Sequence, residues 1–296
     1  MAERMAEVKG RSLWADARRR FLRNRAAMVS LVVLIAVLLF AFFGHYLTPW
    51  DNETIDWNVL GNVREKGAPS FATRHYFGFD DSGRDLYSRV VQGTQISLMV
   101  GVVGAAIAVL VGTVYGAIAG FVGGRVDSVM MRFVDLAMSI PYMFVLILLL
   151  VVFGRSVTML FVGIGLTAWL DMSRIVRGQT LSIKNKEFIE AAEATGVPWF
   201  TIIRRHIVPN LLGVVVVYAT LLVPNMILTE SFISFLGLGV QEPLTSWGAL
   251  ISEGTRTMSY GTLWQLFFPL SFFVVSIFAF FFIGDGLRDA LDPKDR

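Results

Sequence analysis

SIKNKEFIEAAEATGVPWFTIIRRHIVPN, Ser182 to Asn210, is a polar island between two apolar runs. Asn185 is placed to cap a helix whose first turn carries Glu187, an acid that is favourable at the positive end of the helix dipole. Gly196 is expected to stop that helix, as the residue most easily placed in the left-handed conformation just past a C-terminus. Pro198 suits the first turn of a second short helix, and Pro209 marks entry to the next apolar run. The expected unit is a compact helix–turn–helix with two adjacent alanines, Ala191 and Ala192, and few bulky groups at its tip. Such a shape can lie in a groove of another protein.

The flanks of this island decide the fold class. Of the 296 residues, 55% are hydrophobic and 17% are charged, against about 25% charged in typical soluble domains. A soluble fold of this size would expose more charge, so the composition points to a polytopic membrane protein. Crossing the hydrocarbon core takes about 20 apolar residues. Six candidate spans follow: Ala26–Phe43, Ile96–Val122, Leu136–Phe153, Ser156–Leu170, Leu211–Thr229, and one within Thr257–Gly284. The fourth is short and is expected to continue as a helix through Asp171 and Arg174. The first apolar stretch is longer than a signal-peptide core and lacks a small-x-small cleavage site after it, so it reads as a retained membrane helix.

Lysine and arginine set the expected orientation. Eight basic residues lie in the first 25, including Arg18, Arg19 and Arg20, and six more lie between Arg174 and Arg205. Arg125, Arg132, Arg288, Lys294 and Arg296 fall on the same side once six spans are threaded. The expected organisation is therefore a cytoplasmic N-terminal segment (1–25), a first membrane helix (26–47) and a periplasmic loop (48–95). A five-helix core (96–286) containing the loop 182–210 and a cytoplasmic tail (287–296) complete it. On this reading Glu53, Asp56 and the segment Phe77–Arg89 face the periplasm, and Asp135, Asp171 and Glu230 lie near span ends within reach of an interface.

Pro141, Pro224 and Pro269 sit within spans, where each removes a backbone donor and bends its helix. Gly112, Gly116 and Gly120 are spaced so that helix backbones can approach closely. No span carries the series of ionisable residues expected of a proton-coupled carrier. The chain has no cysteine, and His45, His75 and His206 are too scattered for a metal cluster. No catalytic constellation is visible at membrane depth. A phosphate loop of the form Gly-x-x-x-x-Gly-Lys-Ser/Thr is also missing, so nothing in the sequence cradles ATP.

Glu190-Ala191-Ala192, then Gly196, then Pro209 resembles the EAA loop of ABC importer permeases, with His206 and Val208 departing from its usual ending. Phe77-Gly78, Asp81-Ser82-Gly83-Arg84-Asp85, Ser88-Arg89, Gly93 and Ser97-Leu98 resemble the outer loop of the dipeptide and oligopeptide permeases of the C type, with Gln95 in place of a common arginine. Ser234-Phe235-Leu236-Gly237-Leu238-Gly239, Glu242-Pro243, Trp247-Gly248, the ending Gly284 to Pro293 and the opening Gly10-Arg11-Ser12-Leu13-Trp14 extend the likeness over nearly the whole chain. It is nearest to oligopeptide importers.

That resemblance implies an all-α permease of the type I ABC importer kind with six transmembrane helices. It implies a non-catalytic subunit in the bacterial inner membrane, paired with a homologous permease subunit. Two ATP-binding subunits would hold ATP and Mg, and a periplasmic peptide-binding protein would deliver cargo; this chain would hold no cofactor of its own and bind no nucleic acid. The EAA residues Glu190, Ala191, Ala192, Gly196 and Pro209 would couple it to the ATPases. The substrate path is left unassigned. Importers of the same architecture for dipeptides, glutathione or nickel chelates remain alternatives.

Overall fold

The computed structural model describes residues 13–291. Gly10, Arg11 and Ser12 of the opening motif, and Asp292, Pro293, Lys294 and Arg296 of the tail, lie outside the described residues. The elements in chain order are α1 (Leu13–Arg23), α2 (Arg25–Phe43), α3 (Val63–Lys66), α4 (Leu86–Val122), α5 (Gly124–Ser139) and α6 (Tyr142–Phe153). Then follow α7 (Val157–Lys184), α8 (Glu187–Ala194), α9 (Trp199–Ile202), α10 (Val208–Phe235), α11 (Trp247–Thr257) and α12 (Trp264–Leu291). No strand forms among the described residues, only isolated bridges such as Ile55 to Arg84 and Ser70 to His75.

Among the described residues, five helices are long and apolar enough to cross a membrane: α2, α4, α7, α10 and α12. The third expected span, Leu136–Phe153, is not one helix. It straddles a break between α5 and α6, which meet at 75°. The cause is local. A residue before proline is pushed out of the helical region, and Ile140, before Pro141, is extended at φ −89°, ψ 123°. Counting the bent pair as one gives six crossings. Pro224 and Pro269, by contrast, lie inside continuous helices.

Helix α4 begins ten residues before the expected Ile96, because Asp85 caps it by accepting from the Ser88 N–H at 2.8 Å. At 37 residues it is about 55 Å long, well beyond the roughly 30 Å hydrocarbon core. The polar first turns are covered by protein. Residues 44–85 fold back over them as a cap, with Tyr87 donating to the Gly44 carbonyl and Trp264 to the Phe79 carbonyl, each at 3.1 Å. Most of Phe77–Arg89 is therefore buried, leaving Asp81 as the exposed residue of that stretch. Sequence periodicity also missed α11, which starts at the Ser246 cap and packs under the same end. Thr257 closes α11, so the last span begins at Trp264 and runs past Gly284 to Leu291.

Opposite the cap is a basic end. Lys184 donates to the Phe121 carbonyl at 2.6 Å, joining the ends of α4 and α7, and Gly286 of α12 lies against Ala27 and Phe21. The central seam is α4 on α7. A methyl group at Gly112 would sit 2.6 Å from Met172 Cβ and one at Gly120 2.8 Å from Thr180 Cβ, while Gly116 rests on the Ser173 carbonyl. These contacts are the close approach that the four-residue glycine spacing predicts.

Candidate functional site

Two features stand out: the helical loop at the basic end and a cavity beside the α5–α6 break. The loop begins one residue later than expected. Asn185 closes α7 instead of opening α8, and the extended Lys186 takes the N-cap without a side-chain bond. Glu187 and Glu190 occupy the first turn of α8. At its other end the Gly196 N–H bonds the Glu193 carbonyl at 2.9 Å and the Val197 N–H the Ala192 carbonyl at 3.1 Å, with Gly196 at φ +76°. This left-handed stop is the geometry for which glycine is suited.

Pro198 stands at the N-cap of α9, one position before the expected first turn. The second short helix does not stand apart, because a single wide turn, Ile203–Ile207, feeds it directly into α10, with Pro209 in the first turn. Its inward face is apolar. Ile189, Ile202 and Ile207 are buried against Ala117 and Phe121 of α4 and Val176 of α7. The loop is thus a rigid extension of the helical core.

The five site residues separate by side. Glu190 and Ala191 are exposed on the outer face of α8, beside Phe188. Ala192 points the other way and is buried in the chain's own core. Gly196 is at the exposed tip, with open space where a Cβ would be. Pro209 sits at the base of α10. Trp199 and Phe200 add exposed aromatic surface next to the tip.

The second feature is a cavity of about 760 Å³ lined by α5, α6, α7 and α10, among others by Met138, Pro141, Tyr142, Asp171, Asn225 and Thr229. The sequence reading placed Asp171 near a span end. Helix α7 continues through Asp171 and Arg174 as expected and runs on to Lys184, so Asp171 lies 14 residues from its start and 13 from its finish (171 − 157 and 184 − 171). The packing of α7 beside α5, α6 and α10 puts the carboxylate on the cavity wall.

Glu230 is likewise not at an interface. It is fully buried, accepting from Ser97 at 2.9 Å, Ser234 at 2.7 Å and Ser231 at 3.2 Å. Ser97 in turn accepts from the Trp247 N–H at 3.1 Å, so the carboxyl ties α4, α10 and α11 together. Ser231 and Ser234 share α10 with Glu230, but Ser97 is 133 residues away in the chain, and that pairing gave no sequence signal. At the cap end, buried Arg89 bridges Asp80 at 2.6 Å and Glu253 at 2.5 Å. Arg84 joins Asp80 and Glu242, each at 2.8 Å, and holds the Glu242 carboxyl below the usual carboxylate range.

Residues 112–296 match the family model described as binding-protein-dependent transport system inner membrane component. Residues 12–63 match the N-terminal TM domain of oligopeptide transport permease C. The chain is 61% identical over 290 residues to the oligopeptide transport system permease protein OppC of Escherichia coli K12, covering 98% of this chain and 94% of that one. Against OppC of Bacillus subtilis the identity is 41%, with 100% and 94% covered. Against the dipeptide permease DppC of Bacillus subtilis it is 43%, with 95% and 86% covered. The fold is similar to a chain of the inward-facing MetNI methionine ABC transporter, with a TM-score of 0.56 at 18% identity over 69% of this chain and 96% of that one.

Proposed function

This chain belongs to the family of binding-protein-dependent transport system inner membrane components, and on that premise we propose that it is a permease subunit of an ATP-driven importer of oligopeptides in the bacterial inner membrane. The observation that carries the cargo is the 61% identity, over 98% of the chain, to a permease named for oligopeptide transport. The relative named for dipeptide transport stands at 43%.

One chain supplies half a path. A homologous permease subunit facing the cavity beside the α5–α6 break would close it. At the basic end, Glu190 and Ala191 would meet an ATP-binding subunit directly. Ala192, Gly196 and Pro209 would hold the loop in shape from behind. Two such ATP-binding subunits would bind ATP and Mg, and the cap end would receive a periplasmic peptide-binding protein. This places both termini in the cytoplasm, in line with the lysine and arginine count.

The rigid seating of the loop on α4 and α7 supports the coupling role, since movement of an ATPase pair would reach the spans without being absorbed in a flexible linker. Reversing a two-state equilibrium from 1:99 to 99:1 takes about 5.5 kcal/mol of differential binding, which ATP and the loaded binding protein would supply together. The test is to tag this chain, recover its stable companions in mild detergent, and reconstitute them in liposomes. ATP-dependent oligopeptide uptake is expected. A stable complex without an ATP-binding subunit, or one that imports nickel chelates and no peptide, would refute the reading.

A further inference from the structure

Asp171 is an exposed carboxylate on the cavity wall, and among the described residues it makes no hydrogen bond or ion pair. The basic residues that follow it on α7 are engaged elsewhere. Arg174 pairs with Asp135, and Arg177 holds Asp127 by two bonds of 2.5 Å. None of the described residues pairs with Asp171, although it stands midway along a helix long and apolar enough to cross a membrane. An ionisable group so placed is a functional signal, because leaving it unpaired in an apolar surround is costly.

Its neighbours in the cavity have a common chemistry. Thr229 spends its hydroxyl hydrogen on the Asn225 carbonyl at 2.9 Å, and Asn225 donates to the Leu221 carbonyl at 3.0 Å. Thr167 donates to the Ile164 carbonyl at 3.1 Å. With those bonds made, the cavity keeps as acceptors two hydroxyl oxygens, an amide oxygen and the Asp171 carboxylate, and as donors the second Asn225 N–H and the Tyr142 hydroxyl. The rest of the wall is apolar or aromatic. A volume of about 760 Å³ lies within the range of small-molecule pockets, roughly 300–1,000 Å³.

We propose that Asp171, with Asn225 and Thr229, forms a station on the translocation path that takes cationic groups, ammonium or guanidinium, of the passing peptide. The proposal rests on the peptide-importer reading and names a specificity element within it. The carboxylate and the three further acceptor oxygens suit a donor-only cation, and the apolar wall suits the aliphatic stem of lysine or arginine.

The test uses the complete reconstituted importer with its binding protein and compares uptake of tri-lysine with tri-alanine. Asp171→Asn is expected to lower the tri-lysine to tri-alanine uptake ratio about fivefold, the factor for loss of one partly solvated charge pair. Asp171→Glu should restore most of the ratio. Peptide affinity of the binding protein, measured separately, should not change. A ratio within twofold of wild type would overturn the assignment. So would an Asp171→Asn complex that dissociates on purification, because the carboxylate would then belong to the contact between permease subunits. A wild-type complex that imports neither peptide would defeat the underlying importer reading and this proposal with it, an outcome distinct from an unchanged ratio.

Discussion

At the residue scale, direction of burial decides what a substitution reports. Gly196 and Ala192 both belong to the EAA segment, yet they would fail for different reasons. Gly196 has open space around it and a left-handed backbone, so valine there would be strained by conformation alone, by about 1–2 kcal/mol. Gly196→Val is expected to leave membrane abundance near wild type while substrate-stimulated ATP hydrolysis and peptide uptake fall. Normal uptake at normal abundance would remove the coupling role. Ala192 lies in the chain's own core, and a tryptophan there would overfill it at about 1–3 kcal/mol. Ala192→Trp should therefore reduce abundance, whereas Ala191→Trp, on the exposed face, should preserve abundance and weaken recovery of the ATP-binding subunit. Equal behaviour of the two alanine variants would refute this division. Glu230 offers a further case. Glu230→Leu strands the hydroxyls of Ser97 and Ser234 in a buried site, at about 1–3 kcal/mol for an unsatisfied group. Thermal unfolding in detergent should show a clearly lower midpoint than for Glu230→Gln, which keeps an acceptor.

At the element scale, the α4–α7 seam governs stability because both helices approach backbone to backbone. Gly116 rests on the Ser173 carbonyl, which cannot swing aside as a side-chain tip can. Gly116→Leu is expected to cost at least the 1–3 kcal/mol of ordinary overpacking, read as a lower melting midpoint and poor membrane yield. Gly178→Leu, with nothing near its Cβ, serves as the tolerant control. That seam was legible in the sequence because four-residue glycine spacing has one physical meaning in an apolar helix. The broken third span was legible only in part. Pro141 was visible, but a bend and a break look alike until the preceding residue's backbone is known. Helix α11 and the early start of α4 were not legible at all. Both owe their stability to the cap covering their polar residues, a tertiary effect that a hydropathy window cannot see. For the loop 182–210, the left-handed glycine and the entry proline were readable from local chemistry. The inward turn of Ala192 was not, since it depends on where Phe121 and Val176 arrive.

At the scale of the whole molecule, the two ends differ in charge pattern and in construction, and this asymmetry is expected to orient the chain. The basic end carries exposed Arg18, Arg19 and Arg23 on α1 and exposed Arg204 and Arg205 in the helical loop. At the cap end two of the basic residues are joined to acids within the fold: Arg84 and Arg89 are held by Asp80, Glu242 and Glu253. Lysine and arginine retained on one side are the strongest orienting signal, whereas acids contribute little and a long loop can cross regardless of charge. The basic end should therefore be cytoplasmic and the cap periplasmic. A chain with no native cysteine allows a direct test. Burial narrows the choice of probes, since most of Phe77–Arg89 is covered, while Glu53 and Asp81 are exposed on the cap and Glu190 on the loop. Glu53→Cys and Asp81→Cys are expected to react with an impermeant thiol reagent in intact spheroplasts, and Glu190→Cys only after the membrane is opened. The reverse pattern would invert the topology and move the helical loop away from any cytoplasmic ATPase. Labelling of all three in intact cells would mean that the α5–α6 pair does not count as a crossing. Only two spans, α4 and α7, would then separate the cap from the loop and leave both on one side, so the same three cysteines test both the orientation and the sixth span.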